Sequence, residues 1–170
     1  MAWADHEPEA LEAKANRLQK NRDDFLSDID YVYGIFNRDE SELIGGTGLH
    51  TRRGPDTLEI GYWISAEQVK QGFATEAAAA LTKVAFEVSR VPRVEVRCDP
   101  NNVASSRVPM KLGFTHEQTL ENDDTTGGGQ PRDTMVWAMT SEDYSGSDPS
   151  KTKINAFDAV GDSIPLGSHS

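Results

Sequence analysis

Cys98 is the only cysteine in the 170-residue chain, which excludes an internal disulfide framework and a cysteine-built zinc site. No apolar run comes near the ~20 residues that a helix needs to cross a bilayer. The opening stretch MAWADHEPEA is acidic where a secretory leader would be basic and then apolar. Positive charge is scarce too: 17 Lys and Arg face 28 Asp and Glu, a formal net charge of −11. A field of that sign repels nucleic acid and anionic membrane and attracts cations. It also opposes an anionic cofactor, so any phosphate site has to be built locally. Hydrophobic residues make up 36% and mean hydropathy is −0.58, so part of the length is expected to lie outside any core. These limits describe one soluble domain of a reducing cytoplasm, with no nucleic-acid, membrane or metal partner expected.

What is present alternates between strand and helix patterns. Residues 7–26 hold no interior glycine and place Pro8 where a first helical turn tolerates it. They space Leu11, Ala15, Leu18 and Phe25 as one apolar stripe, so a helix is expected. The β-rich runs on either side of NRDES read as a hairpin, RGPD as another turn, and TLEIGYWIS as a third strand. From Gly72 an alanine-rich helix runs through ATEAAAALTKVAFEVSR, with Ala77, Leu81, Val84, Ala85 and Val88 on one face. VPRVEVRCD alternates as a strand and NNVASSRVPMKLG is helical. FTHEQTL and RDTMVWAMT are closing strands around the glycine-rich loop ENDDTTGGGQP. This order predicts a mixed α/β domain over residues 1–144. Residues 145–170, rich in Ser, Gly and Asp, are expected as a polar, disordered tail, with INAF able to dock.

Three stretches carry chemistry. In TLEIGYWIS, Leu58, Ile60, Tyr62 and Ile64 face one way, while Glu59, Gly61 and Trp63 face the other. Gly61 leaves a gap between a carboxylate and an indole, filled either by a neighbouring side chain or by a ligand. In EQVKQGFATEA, Gly72 permits a sharp strand-to-helix reversal. The N–H groups of Phe73, Ala74 and Thr75 are then unpaired at a helix start, which suits a phosphate. Lys70 adds a positive charge there. In DPNNVASSRVPMKLGF, Asn102 is an N-cap, Ser105 lies three residues on along the same face, and Pro109 is expected to kink or restart the helix.

Taken together, IGYWIS, GFATEAAAALTKVAF and RVEVRCDPNNVASSRVPMKLGFTHE resemble the GNAT superfamily of acetyl-CoA-dependent N-acetyltransferases, and within it the Rim branch that acetylates ribosomal-protein N-termini. The resemblance covers roughly residues 31–140. It implies a mostly antiparallel twisted sheet, splayed between two strands, with helices on both faces. It implies that acetyl-CoA is bound by Lys70, Gln71, Gly72, Phe73, Ala74 and Thr75 at the pyrophosphate. The pantetheine would lie beside Trp63 and Ile64, with Asn102 and Ser105 approaching it and the sulfur. Ser105 is then the candidate proton donor to the departing thiolate, since Pro109 stands where many members carry a tyrosine. Val69 and Lys70 also depart from the family's turn pattern. The family's opening strand and first helix have no counterpart before residue 30, so either the chain is truncated there or another segment (the tail) or a partner subunit, as in a homodimer, is expected to cover that sheet edge.

Acetyl transfer needs a neutral amine. Deprotonating a lysine-like amine at pH 7 costs about 4–5 kcal/mol, and an α-amine only about 1. Glu59 is the candidate base, directly or through water, and His50 and Trp63 are candidate walls of the acceptor cleft. The acceptor reads as a protein N-terminus or a small cationic amine. An aminoglycoside or polyamine acceptor, or a non-catalytic acyl-CoA-binding module, are the alternatives.

Overall fold

The computed structural model describes residues 10–167. Helix α1 spans Leu11–Leu26, and the part of the expected helix before Ala10 lies outside the described residues. Strands β1 (Tyr31–Phe36), β2 (Leu43–His50) and β3 (Thr57–Ile64) follow as an antiparallel meander. Next come α2 (Phe73–Glu87), β4 (Arg93–Cys98), α3 (Val103–Lys111), β5 (Thr115–Thr125) and β6 (Pro131–Thr140). The six strands form one sheet in the order β1-β2-β3-β4-β6-β5. Only β3 and β4 run parallel. The crossover that joins them is α2, as a parallel connection requires.

The two sheet faces differ. Leu49, Leu58, Ile60, Val94 and Val96 are 5% exposed or less and form one core with Ala78, Leu81 and Ala85 of α2 and Val108 and Leu112 of α3. Tyr31 and Tyr33 join it, and Phe25 sets its ring edge-on to both at 5.5 Å, which brings α1 to the same side. The helices expected on both faces thus gather on one. Among the described residues the other face is covered by side chains of its own strands and turns.

Several segments differ from expectation. Strand β5 continues to Thr125, because Asn122 N–H donates to Asp133 at 3.0 Å and Arg132 pairs with Asp124. The glycine-rich loop shrinks to a turn closed by Thr126 and Gln130. Helix α3 runs unbroken through Pro109. The inner face of α2 includes Thr82, Lys83 and Phe86 as well as Leu81 and Ala85, because the segment expected as a disordered tail covers it. Helices α4 (Ser141–Tyr144) and α5 (Asp148–Lys151) precede a small hairpin of β7 (Ala156–Phe157) and β8 (Ser163–Ile164). Tyr144 stacks on Phe86 at 4.7 Å, and the Lys83 ammonium donates to Glu87 at 2.7 Å and to the Ser150 carbonyl at 2.9 Å. A polar composition hides these few anchors; the Ile154–Phe157 stretch, INAF, lines an apolar cavity of about 610 Å³ shared with α1, β1 and α2.

Candidate active site

The left-handed glycine stands at the start of α2 as expected, but the reversal is not sharp, since residues 65–72, with a 3-10 turn over Ala66–Gln68, separate the end of β3 from the helix. Gly72 is left-handed, with φ +94°, and a Cβ added there would have no atom within 4 Å. The first helical bond runs from Glu76 N–H to the Gly72 carbonyl at 3.0 Å. Among the described residues nothing accepts from the N–H groups of Phe73, Ala74 and Thr75, and the helix has no side-chain cap. Three donors at the positive end of a 15-residue helix are therefore uncommitted. Lys70 is also left-handed at φ +66°, an uncommon state for a residue with a side chain. Gln71 turns its amide back to Gln68 at 2.9 Å.

The turn sits at the end of a splay. Parallel pairing of β3 with β4 stops at Ile60↔Val96, although β3 continues to Ile64 and β4 to Cys98. From Gly61 onward the β4-facing edge of β3 has no strand beside it. Helix α3 borders the opening, with Asn102 capping the Ser105 N–H at 3.2 Å. Pro109 has no N–H to give the Ser105 carbonyl four residues back. That carbonyl instead accepts from the Tyr62 hydroxyl at 2.8 Å, tying α3 to β3 across the splay. Tyr62 is the site residue that sequence reasoning missed. Its signal was present: a proline inside a helix frees one carbonyl, and a tyrosine on the facing strand is long enough to reach it. Burial raises the Tyr62 hydroxyl strongly and pushes the neighbouring Cys98 thiol up to about 11, so both are protonated at neutral pH.

On the opposite face Glu59 is 4% exposed, yet it is not poised as a base. Arg52 and Arg53, from the turn before β3, each take one of its carboxylate oxygens, Arg53 at 2.5 Å. Burial alone would raise its pKa; the two guanidinium hydrogen bonds outweigh burial and hold it below the ordinary carboxylate value. With its oxygens engaged and its affinity for a proton lowered, Glu59 is poorly suited to take one from an amine. A polar cleft of about 420 Å³ opens beside it, lined by Arg97, Arg132, Asp123, Asp124 and Thr134.

His50 fills the gap beside Gly61. A Cβ on Gly61 would lie 3.1 Å from the His50 Nε2, and one on Gly48 2.9 Å from it. The His50 Nδ1 meets both carboxylate oxygens of Asp30 at 3.0 Å. The Trp63 indole lies over Gly46 in the same way, 42% exposed on that face. The structure thus brings together Trp63, Ile64, residues 70–75, Asn102 and Ser105 around the splay, with His50 on the far side of the sheet from α2, and it takes Glu59 into an arginine clamp.

A strand pair that parts beside a bare helix start invites comparison with known acyltransferases. The sequence profile of the acetyltransferase (GNAT) domain matches residues 1–115. The chain belongs to the GNAT acetyltransferase family. The probable N-acetyltransferase YjcK of Bacillus subtilis (strain 168) is 28% identical over 135 residues, 78% of this chain and 74% of YjcK. The next curated relatives from that bacterium match over 60% and 50% of their own length. A GNAT-family acetyltransferase from Bacillus anthracis has the same fold at 27% identity and TM-score 0.67, covering 77% of this chain and 75% of that one. The Rim branch of the GNAT family is represented by RimL, a ribosomal L7/L12 α-N-protein acetyltransferase solved with coenzyme A. Its likeness is one of fold, at 21% identity and TM-score 0.69, covering 77% of this chain and 73% of RimL.

Proposed function

We propose that this GNAT protein transfers the acetyl group of acetyl-CoA directly to a primary amine, with a protein N-terminus or a small cationic amine as acceptor. The observation that carries the reading is the splay: β3 and β4 part at Ile60↔Val96, and the chain then turns through Gly72 into a helix start with three uncommitted N–H groups.

The residues fit the cosubstrate. The N–H groups of Phe73, Ala74 and Thr75 would hold the diphosphate, with Lys70 adding charge and Gly72 leaving the approach clear. The free edge of β3 from Gly61 to Ile64 would accept the amide-rich arm as an added strand, opposite Asn102 and Ser105. Acetyl-CoA supplies the activated thioester. Backbone N–H groups of β3 would stabilise the developing oxyanion, and the Ser105 hydroxyl would protonate the leaving sulfur. Transfer is direct, because the Cys98 thiol, buried and pushed up to about 11, carries little thiolate at neutral pH. The amine would approach from the face with His50, Trp63 and the arginine cleft. An overall charge of −11 favours the approach of a cation.

Calorimetry with acetyl-CoA and a thiol-release assay across α-amine peptides, lysine peptides, polyamines and aminoglycosides test the reading. Gly72→Asp is the informative variant. Aspartate tolerates a left-handed φ and is a good helix cap, so the protein should fold. Its carboxylate would oppose the diphosphate and lower acetyl-CoA affinity at least ~100-fold, about 2.7 kcal/mol. Unchanged affinity in a folded Gly72→Asp variant would refute the site. Turnover of aminoglycosides and polyamines, but not peptides, would move the acceptor to small polycations.

A further inference from the structure

We propose that His50 is the catalytic proton acceptor of this enzyme and Asp30 its positioning residue; the inference rests on the acetyl-transfer reading above. Among the described residues two histidines exist. His116 contacts Thr119 at 3.2 Å and packs on Trp137, away from the splay. His50 ends β2 and folds its ring back over the Gly48↔Gly61 pair. Asp30 stands one residue before β1, next to the Tyr31↔Leu49 pair, and so lies across from His50. An ionised carboxylate only accepts, so the two 3.0 Å contacts put a proton on Nδ1, and in the neutral ring Nε2 then carries the lone pair. Nε2 has no hydrogen-bond partner among the described residues. It lies 3.1 Å from where a Gly61 Cβ would be, and Gly61 is the first residue of β3 beyond the last parallel pair. A side chain at residue 61 would press on the imidazole where it lies over the Gly48↔Gly61 pair.

This is a base oriented by a carboxylate, with its free nitrogen over the Gly48↔Gly61 pair, one position along β3 from the last β3–β4 pair. The alternative base, Glu59, is the cross-strand partner of His50 and is committed to Arg52 and Arg53. The charged groups around the imidazole are therefore Asp30 from the link between α1 and β1, Glu59 across the ladder, and Arg52 and Arg53 from the β2–β3 turn. In the proposed step His50 Nε2 takes one proton from the incoming ammonium. The freed nitrogen lone pair forms the C–N bond at the thioester carbon, and the C–S bond breaks with its electron pair leaving on sulfur. One of the two protons lost by the ammonium ends on that sulfur, giving the free thiol, and the other reaches solvent through His50.

The test compares wild type, His50→Gln, His50→Ala and Asp30→Asn, using acetyl-CoA and the best amine from the panel. His50→Gln should lower kcat 10²- to 10³-fold, leave the acetyl-CoA Kd within twofold and abolish the acid limb of the pH–rate profile. Added imidazole should restore part of the activity of His50→Ala, which a packing role would not allow. Nitrogen-15 NMR should find the Nδ1–H tautomer of the His50 ring in wild type and its loss in Asp30→Asn. A wild type that turns over while His50→Gln keeps kcat within threefold at every pH overturns the base and leaves acetyl transfer standing. A wild type that binds acetyl-CoA but releases no thiol with any amine overturns acetyl transfer, and the base with it. An Nε2–H tautomer in wild type overturns the dyad whatever the kinetics.

Discussion

Adjacent residues of β3 point into two different environments. Leu58 is 5% exposed within the apolar core against α2, while Glu59, 4% exposed, is buried on the other face by two arginines. The first face owes its burial to helices, the second to its own polar side chains. On the helical side, burial requires only apolar residues of the right size and spacing. On the polar side each buried atom needs a named partner, so Glu59 depends on Arg52 and Arg53, and His50 on Asp30. One face holds the domain together, and the other can carry chemistry because its groups are held in fixed orientations without being sealed from solvent.

Substitutions at adjacent residues break that contrast most directly. Leu58→Ala should cost about 2–5 kcal/mol in denaturant unfolding, since it removes a fully packed side chain. Acetyl transfer per folded molecule should stay unchanged. A smaller effect of a different kind is expected for Glu59→Gln, about 1–3 kcal/mol, because Arg52 and Arg53 would lose a charged acceptor. Its pH dependence gives the sign. The folded-state pKa of Glu59 is held below its unfolded value, so the carboxylate stabilises the fold above about pH 4.3 and that contribution is lost as pH falls through the folded value. Wild-type stability should therefore decline as pH falls below about 4.3 more steeply than that of Glu59→Gln. Parallel acid profiles would mean that the arginines do not hold the carboxylate in solution.

The same contrast explains what could be read without a structure. Alternation along TLEIGYWIS fixes which residues of β3 share a face, because a strand has only two sides, and Gly72 marks the helix start, because glycine takes a left-handed φ at no steric cost. The arginine clamp was hidden because RR falls in a stretch that reads only as a turn, and the hairpin brings it back to Glu59. The His50–Asp30 pair joins residues twenty apart. It depends on the β1–β2 register, and the irregularity at Ile35/Phe36 keeps a residue count across the loop from giving that register. The docked segment after Tyr144 was hidden by averaging, since Tyr144 and Pro149 are buried in a stretch that is otherwise polar. Periodicity reports on the apolar face; pairings between polar groups require the register.

The smallest expected effect separates fold from function within one turn. Lys70 holds φ +66°, which costs a residue with a Cβ about 1–2 kcal/mol relative to glycine. Glycine loses more freedom on folding, so Lys70→Gly should gain no more than about 1 kcal/mol of stability, read as a small rise in Tm. The same change removes the cation next to the proposed diphosphate seat. A screened, exposed charge at a helix start contributes about 0.3–1 kcal/mol, so acetyl-CoA affinity should fall about two- to fivefold at low salt. At 1 M salt, where the Debye length is about 3 Å, that difference should nearly vanish. Stability and affinity thus move in opposite directions only if the lysine is retained for the ligand at the expense of the turn. If both rise together, Lys70 has no part in holding a phosphate, and the backbone N–H groups of residues 73–75 bind the diphosphate without it.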